Sequence, residues 1–212
     1  MRIVIADLHL TDRYDSRLGE FLSGLTAEAD ELIINGDLWD EDITEFAGFE
    51  RAWRPLLQKW AALRTVYLPG NHDTDPLLAE KAWFAAEVLP VYSFTDGSVR
   101  FHIEHGHVFD TEGLVRRLVP QPLLGLIAHA NRVRTWLWSR LFPFTHSFSE
   151  TETVQQHSAR KLIDADVVIF SHSHKPLADR SSGLYNTGAI MHGQASWLVI
   201  DQGAVALRKS TY

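Results

Sequence analysis

The sequence of 212 residues predicts an α/β protein whose helices pack on a layered sheet. Three observations lead there. Short β-branched runs recur at 2–6, 31–35 and 65–68, segments of helical period lie between them, and polar or Gly residues close each run. Strand–helix–strand alternation of this kind places helices over a mostly parallel sheet.

The elements follow in order. Residues 14–25 and 44–63 repeat apolar side chains three and four apart, among them Phe46, Phe49, Trp53, Leu56, Leu57 and Trp60. Asp42 and Glu45 have capping-box spacing at the start of the second helix. Asp75-Pro76 marks another start, with Asp as N-cap and Pro in the first turn, and predicts a helix over 77–88. Residues 99–104 alternate as a strand ending at His105. A helix over 151–164, with Ser149 and Glu152 again at capping-box spacing, leads to a buried strand at 166–170. Three short strands follow near 183–186, 196–200 and 204–209, the last two joined at 201–203.

Composition bounds the function. Apolar residues make up 45% and charged residues 22%, a globular balance, and 20 basic against 27 acidic side chains leave a net charge of −7. A nucleic-acid binder of the basic-patch kind is therefore not expected. Cys is absent, which excludes disulfides, Cys-ligated metal sites and thiolate nucleophiles together. The run at 2–6 is too short for a signal-peptide core, and the uncharged stretch 118–131 is broken by Pro120, Gln121 and Pro122. The expectation is a cytoplasmic protein with no bilayer span.

Residues 113–149 stand apart. They hold five Arg (116, 117, 132, 134 and 140), no Lys and no acidic residue, beside Trp136, Trp138 and three Phe. A solvated helix face would mix Glu among such cations. This segment is read as an inserted helical cap at about 111–149 in an otherwise single domain of residues 1–212. Arg116, Arg117, Arg132 and Arg134 are its substrate-binding candidates, as forks for phosphate or diphosphate. An amphipathic surface lying on anionic lipid at the inner membrane face, or a homo-oligomer contact through the aromatics, are the other readings.

The eleven His residues point to chemistry. Five motifs fall at expected strand ends: Asp7-Leu8-His9, Gly36-Asp37-Leu38-Trp39-Asp40, Gly70-Asn71-His72-Asp73, His105-Gly106-His107 and His172-Ser173-His174. Loops beyond the carboxyl ends of strands in an open α/β sheet share one crevice. Carboxylates, imidazoles and an amide oxygen, with no sulfur, suit a pair of hard-to-borderline divalent cations. One cation would take Asp7, His9 and His174, the other Asn71, His105 and His172, with Asp37 bridging. Two cations about 3.5–4 Å apart hold and activate a water for in-line attack on phosphorus. His72, backed by Asp73, is left to protonate the leaving oxygen or neutralise phosphate charge.

Each motif alone has a bland reading: a turn-capping Asp, a solvated His, a Gly-Asp turn. Their joint occurrence in this order argues for function. Asp40 and His107, next to ligands in the chain, are expected to orient a metal-bound His or Asp. His102, His129, His146, His157 and His192 lack motifs and are read as surface or satisfied histidines, with His192 the exception whose loop is expected to face the site. Trp53, Trp60 and Trp197 are assigned to the core.

In these five blocks the sequence resembles the calcineurin-like metallophosphoesterases, whose series is Asp-x-His, Gly-Asp-x-x-Asp, Gly-Asn-His-Asp/Glu, a His before Gly, and Gly-His-x-His. The resemblance spans Asp7 to His174. It implies a four-layer α/β/β/α sandwich and a dinuclear centre, often of manganese; nitrogen and oxygen ligation also admits iron, zinc or cobalt. Ser171 stands where the last block usually has Gly. A narrower likeness, in Ala6–Leu10, Gly36–Asp40 and the insertion, is to the UDP-2,3-diacylglucosamine pyrophosphohydrolases. The chain departs from that branch at His72, where Arg is expected, and at His107, where Asp is expected.

The expected function is metal-dependent hydrolysis of a phosphoester or pyrophosphate bond in a phosphorylated small molecule or lipid-linked substrate. A nucleotide phosphodiesterase or a phosphoprotein phosphatase is the alternative within the class, and a non-catalytic metal-binding scaffold the alternative outside it. The parts of other chemistries, a Gly-x-Ser-x-Gly elbow or a Gly-x-x-x-x-Gly-Lys loop, are missing.

Overall fold

The computed structural model describes residues 1–109 and 150–212. The inserted segment, with Arg116, Arg117, Arg132 and Arg134, lies outside the described residues, as do His129, His146 and the expected cap Ser149.

In chain order the elements are β1 (Arg2–Ile5), α1 (Ser16–Leu25), β2 (Glu31–Asn35), α2 (Phe46–Ala61), β3 (Arg64–Leu68), α3 (Leu78–Lys81), β4 (Glu87–Val88), β5 (Tyr92–Asp96) and β6 (Val99–Ile103). A 3₁₀ turn at His107–Phe109 closes the first part. Then come α4 (Glu150–Arg160), β7 (Val167–Phe170), β8 (Leu177–Asp179), β9 (Leu184–Asn186), β10 (Ile190–Met191), β11 (Gln194–Asp201) and β12 (Ala204–Thr211).

Two sheets result. In the first, β1 to β4 run parallel in sequence order, and β11 joins β1 antiparallel while itself pairing with β10 and β12. In the second, β6, β7 and β9 are parallel neighbours, flanked by antiparallel β5 and β8.

The period of two along each strand sorts the side chains into layers. Ile3, Ile5, Leu32, Ile34 and Tyr67 pack outward with Leu18 and Leu22 of α1 and Phe49, Trp53 and Trp60 of α2. Their neighbours Val4, Ile33, Val66 and Leu68 face inward and meet Phe101, Ile103, Ile169 and Tyr185 of the second sheet. The far side of that sheet sends Val168, Phe170 and Leu184 toward Ala159 of α4. The layers are α/β/β/α, as the resemblance implies. The indole N–H groups of Trp53 and Trp60 bond Thr11 O (2.9 Å) and Thr26 Oγ1 (3.2 Å), so both rings are buried without an orphaned donor. Trp197 is only partly buried, against Phe21.

Other sequence expectations change as well. The helix over 77–88 shrinks to the four residues of α3. Beyond it Phe84 is buried against Tyr67, and Ala86 N and Leu89 N bond Thr65 O and Tyr67 O at the edge of β3. Pairing the open strand edge outweighs helix propensity. Asp42 and Glu45 form no capping box, because α2 starts at Phe46 with Glu45 at the cap and no side-chain bond there. The strand β5, which alternates Tyr92 and Phe94 with Ser93 and Thr95, goes unforeseen.

Candidate metal centre

The carboxyl ends of β1, β2, β3, β6 and β7 converge, so five loops meet. Asp7 and His9 follow β1, Asp37 follows β2, Asn71 and His72 follow β3, His105 follows β6, and His172 and His174 follow β7. These turns are sharp: Asp7, His9, Asp37, His172 and His174 all have left-handed backbones, with φ between 46° and 68°. For non-Gly residues this costs about 1–3 kcal/mol each and persists only where the surroundings enforce it. Here the loops after β1 and β2 are laced together, Asp7 N bonding Gly36 O (3.0 Å) and Leu8 N and His9 N both bonding Asp37 O (2.9 and 3.0 Å). The motif glycines make room for the ligands. A Cβ on Gly36 would lie 2.1 Å from His105 Nδ1, and one on Gly70 would lie 2.1 Å from Asp37 Oδ1.

The donors gather into two adjoining groups. Asp7, His9 and His174 bring their ligating atoms together, with His174 Nε2 at 3.3 Å from Asp7 Oδ1 and at 3.4 Å from His9 Nε2. Asp37, His105 and His172 form the second group, where His105 Nε2 lies 3.4 Å from Asp37 Oδ2 and 3.3 Å from Asn71 Oδ1. Asp37 Oδ2 also lies 3.8 Å from His9 Nε2, so this oxygen sits between the groups. Its other oxygen accepts the backbone N–H of His72 at 2.9 Å.

Burial and mutual charge set the protonation. Asp7 and Asp37 are buried, at 0% and 1% exposure. Burial works to raise Asp37, but His105, His9 and His72 hold it well below the usual carboxylate range. Burial opposes charge on His105, yet Asp37 pushes it up to about 10. Burial, helped by His72 and His174, pushes His9 down to about 4, which leaves a neutral imidazole. His105 Nδ1 donates to the carbonyl of Asn35 at 2.8 Å, which reserves Nε2 for the site.

Divalent cations fit this donor set. Asp7 Oδ1 is buried without a hydrogen-bond partner among the described residues, because Asp7 Oδ2 alone accepts the N–H of His172 (3.1 Å). A buried carboxylate oxygen left open toward imidazole nitrogens calls for a positive partner. Oxygen and nitrogen donors without sulfur suit manganese, iron, zinc or cobalt.

The surrounding residues divide differently from expectation. His72 Nδ1 lies 3.5 Å from Asp40 and 3.8 Å from Asp42, and its ring stands edge-on to His9. Burial opposes its charge, but the neighbouring carboxylates of Asp40 and Asp37 raise it to about 9. Asp73, expected behind His72, instead accepts the backbone N–H groups of Leu38, Trp39 and Gly70 at 3.3, 3.3 and 3.1 Å, tying the loops after β2 and β3. Asp40 takes the backing role, and its Oδ2 is 4.0 Å from His9 Nδ1. The His107 ring packs beside His105 and His172. His102 bonds Glu104 (2.8 Å) and His157 faces Asp179 (3.7 Å), away from the ligand groups. His192 occupies the tight turn between β10 and β11, with φ 53°, and is in neither donor group. Sequence reasoning missed Asp42, mistaken for a helix cap, and Asn35, whose only signal is a lone polar residue ending an apolar strand.

The profile of the calcineurin-like phosphoesterases matches residues 2–176, a range that holds every donor named above. No curated protein sequence matches the chain. Among solved structures, an archaeal phosphodiesterase is 15% identical with a TM-score of 0.54, covering 100% of this chain and 99% of its own. YfcE, a phosphoesterase from E. coli, is 15% identical with a TM-score of 0.52, covering 99% of this chain and 98% of its own. These likenesses concern the fold.

Proposed function

Because the chain belongs to the calcineurin-like phosphoesterases, metal-dependent hydrolases of phosphate esters, we propose that Asp7, His9, Asp37, Asn71, His105, His172 and His174 hold two divalent cations, manganese first, for hydrolysis of a phosphoester or pyrophosphate bond. The observation that carries this reading is Asp37 Oδ2, placed between a histidine of each donor group. When bound, two such cations supply an activated water and neutralise charge on the phosphate.

The side chains provide the rest. Asp7 and Asp37 concentrate negative charge in a buried pocket, and His9 and His105 present ring nitrogens to it. His72, held cationic by Asp40 and Asp42 at the partly exposed edge of the pocket, stands ready to give a proton from its ring to the leaving oxygen or to bind a non-bridging phosphate oxygen. Asp40, 3.5 Å from its Nδ1, keeps that ring charged. Asp73 acts on the backbone, fixing Asp37 and Asn71 relative to one another.

The substrate we favour is a lipid-linked pyrophosphate such as UDP-2,3-diacylglucosamine. Its support is the composition of 113–149, where Arg116, Arg117, Arg132 and Arg134 would meet phosphates and the apolar residues an acyl chain or membrane surface. A nucleotide phosphodiester is the second reading within the same chemistry. No helix among the described residues is long and apolar enough to cross a membrane.

The test is hydrolysis of a bis-aryl phosphate by metal-free protein supplied with manganese, compared with Asp37→Ala. The wild type turns the ester over and the variant loses that activity; equal rates would remove the proposal.

A further inference from the structure

We infer that Ser171, acting with Asn35 and Thr187, is a positioning residue that sets His105 and His172 of the second sheet against Asp37 of the first. The inference rests on the two-cation reading above and asks which residues keep the two half-sites in register, since they come from different sheets.

Ser171 is fully buried and replaces the Gly usual at this point of the resembled motif. Its backbone is held on both sides. Its N–H donates to His105 O (3.0 Å), and its carbonyl accepts from Gln156 Nε2 (2.9 Å), Asn186 Nδ2 (2.8 Å) and Ser173 N (2.7 Å). The hydroxyl then adds a link that Gly lacks. Ser171 Oγ accepts from Asn35 Nδ2 at 2.7 Å and bonds Thr187 Oγ1.

The direction of this chain follows from its ends. Thr187 Oγ1 lies 3.2 Å from the carbonyl of Phe170, which only accepts, so Thr187 donates there and Ser171 donates to Thr187. Asn35 spends its second amide hydrogen on Glu104 O (3.1 Å), and its backbone carbonyl receives His105 Nδ1–H (2.8 Å). Asn35 thus grips the chain just before His105, orients the His105 ring, and binds the residue just before His172. It does so two residues ahead of Asp37. One buried polar chain joins the ends of β2, β6, β7 and β9 beneath the donors. Asn35 Oδ1 has no hydrogen-bond partner among the described residues, but the bonds that are made fix the direction of each hydroxyl and amide hydrogen in the chain.

Removing the hydroxyl leaves Asn35 Nδ2 and Thr187 Oγ1 each short of a partner, and frees His172 to move relative to Asp37. Outer partners that orient ligands typically affect metal affinity about 10–100-fold. The experiment titrates metal-free protein with Mn²⁺, following free Mn²⁺ and the exchange-coupled two-ion signal by electron paramagnetic resonance, with thermal unfolding of the metal-free forms alongside. The variants are Ser171→Ala and Thr187→Val; the second keeps volume and does not depend on the first folding. Each is titrated at a temperature where its circular dichroism shows it folded. Both should bind the weaker ion about 10–100-fold less tightly and lose the coupled signal. Affinities and coupled signal equal to wild type, whatever happens to the melting temperature, overturn the role of Ser171. Wild type that binds no Mn²⁺ overturns the two-cation reading itself.

Discussion

The carboxylate of Asp7 accepts the backbone N–H of His172 at 3.1 Å, so a donor from the first sheet is clamped to the loop that carries donors from the second. One oxygen is spent on the clamp, and the other stays buried and open toward His174. Structure and chemistry are separated within one side chain.

Asp7→Asn tests that separation. The amide oxygen can keep the bond to His172 while the negative charge disappears. Metal content by elemental analysis should fall by at least one ion per chain, while the metal-free protein should not lose stability, because a neutral amide replaces a buried carboxylate. Full metal content in the variant contradicts the role given to Asp7.

His72→Ala should retain both ions and lose activity by about 10²–10⁴-fold, the usual range for a positioned proton donor. Loss of metal along with activity would reassign His72 as a ligand.

Asp40→Asn addresses the raised basicity of His72. The neighbouring carboxylates of Asp40 and Asp37 raise His72 to about 9, so removing the charge of Asp40 lowers that value. The limb of the pH–rate profile on which activity falls as His72 loses its proton should therefore move to lower pH in the variant. An unmoved limb would show that Asp40 does not govern His72.

Asp73 offers a stability test. Burial and the charge of Asp37 raise its carboxyl to about 7, above its ordinary value of 3.8. A raised folded-state value favours the protonated form, so stability from this group is present below about pH 4 and lost as pH rises toward 7. In metal-free protein, melting of wild type relative to Asp73→Asn should thus decline from pH 4 to pH 8. A flat or opposite difference contradicts the shift. Asp73→Ala, which orphans three buried N–H groups, should cost about 3 kcal/mol or more.

Replacing Arg116, Arg117, Arg132 and Arg134 together by Gln should leave bis-aryl phosphate turnover nearly unchanged. Turnover of a phospholipid-linked pyrophosphate in anionic vesicles should fall by about a hundredfold or more, at about 1 kcal/mol for each cation near the surface. Unchanged vesicle turnover removes the lipid-linked reading.

What could be read in advance follows physical range. The strands β1, β2, β3 and β7 are buried on both faces and announce themselves as apolar runs, and the donors follow them within four residues, so adjacency in sequence carries the information. The partners of those donors do not. Asp73 adjoins His72 in the chain yet turns to Leu38 and Trp39, while Asp40 and Asp42 reach His72 from 30 or more positions away. The bond from Asn35 to Ser171 spans 136 positions and exists only once both sheets are stacked. The short α3 has the same cause, since pairing of Glu87–Val88 with β3 decides where the helix stops.

The central claim is that seven donors from both sheets hold two cations. Crystals of the protein soaked in Mn²⁺ and measured at the manganese absorption edge test it most directly. Two anomalous peaks are expected, one among Asp7, His9 and His174 and the other among Asn71, His105 and His172, with Asp37 between them. A map empty at that pocket, in crystals that take up manganese elsewhere, would contradict it.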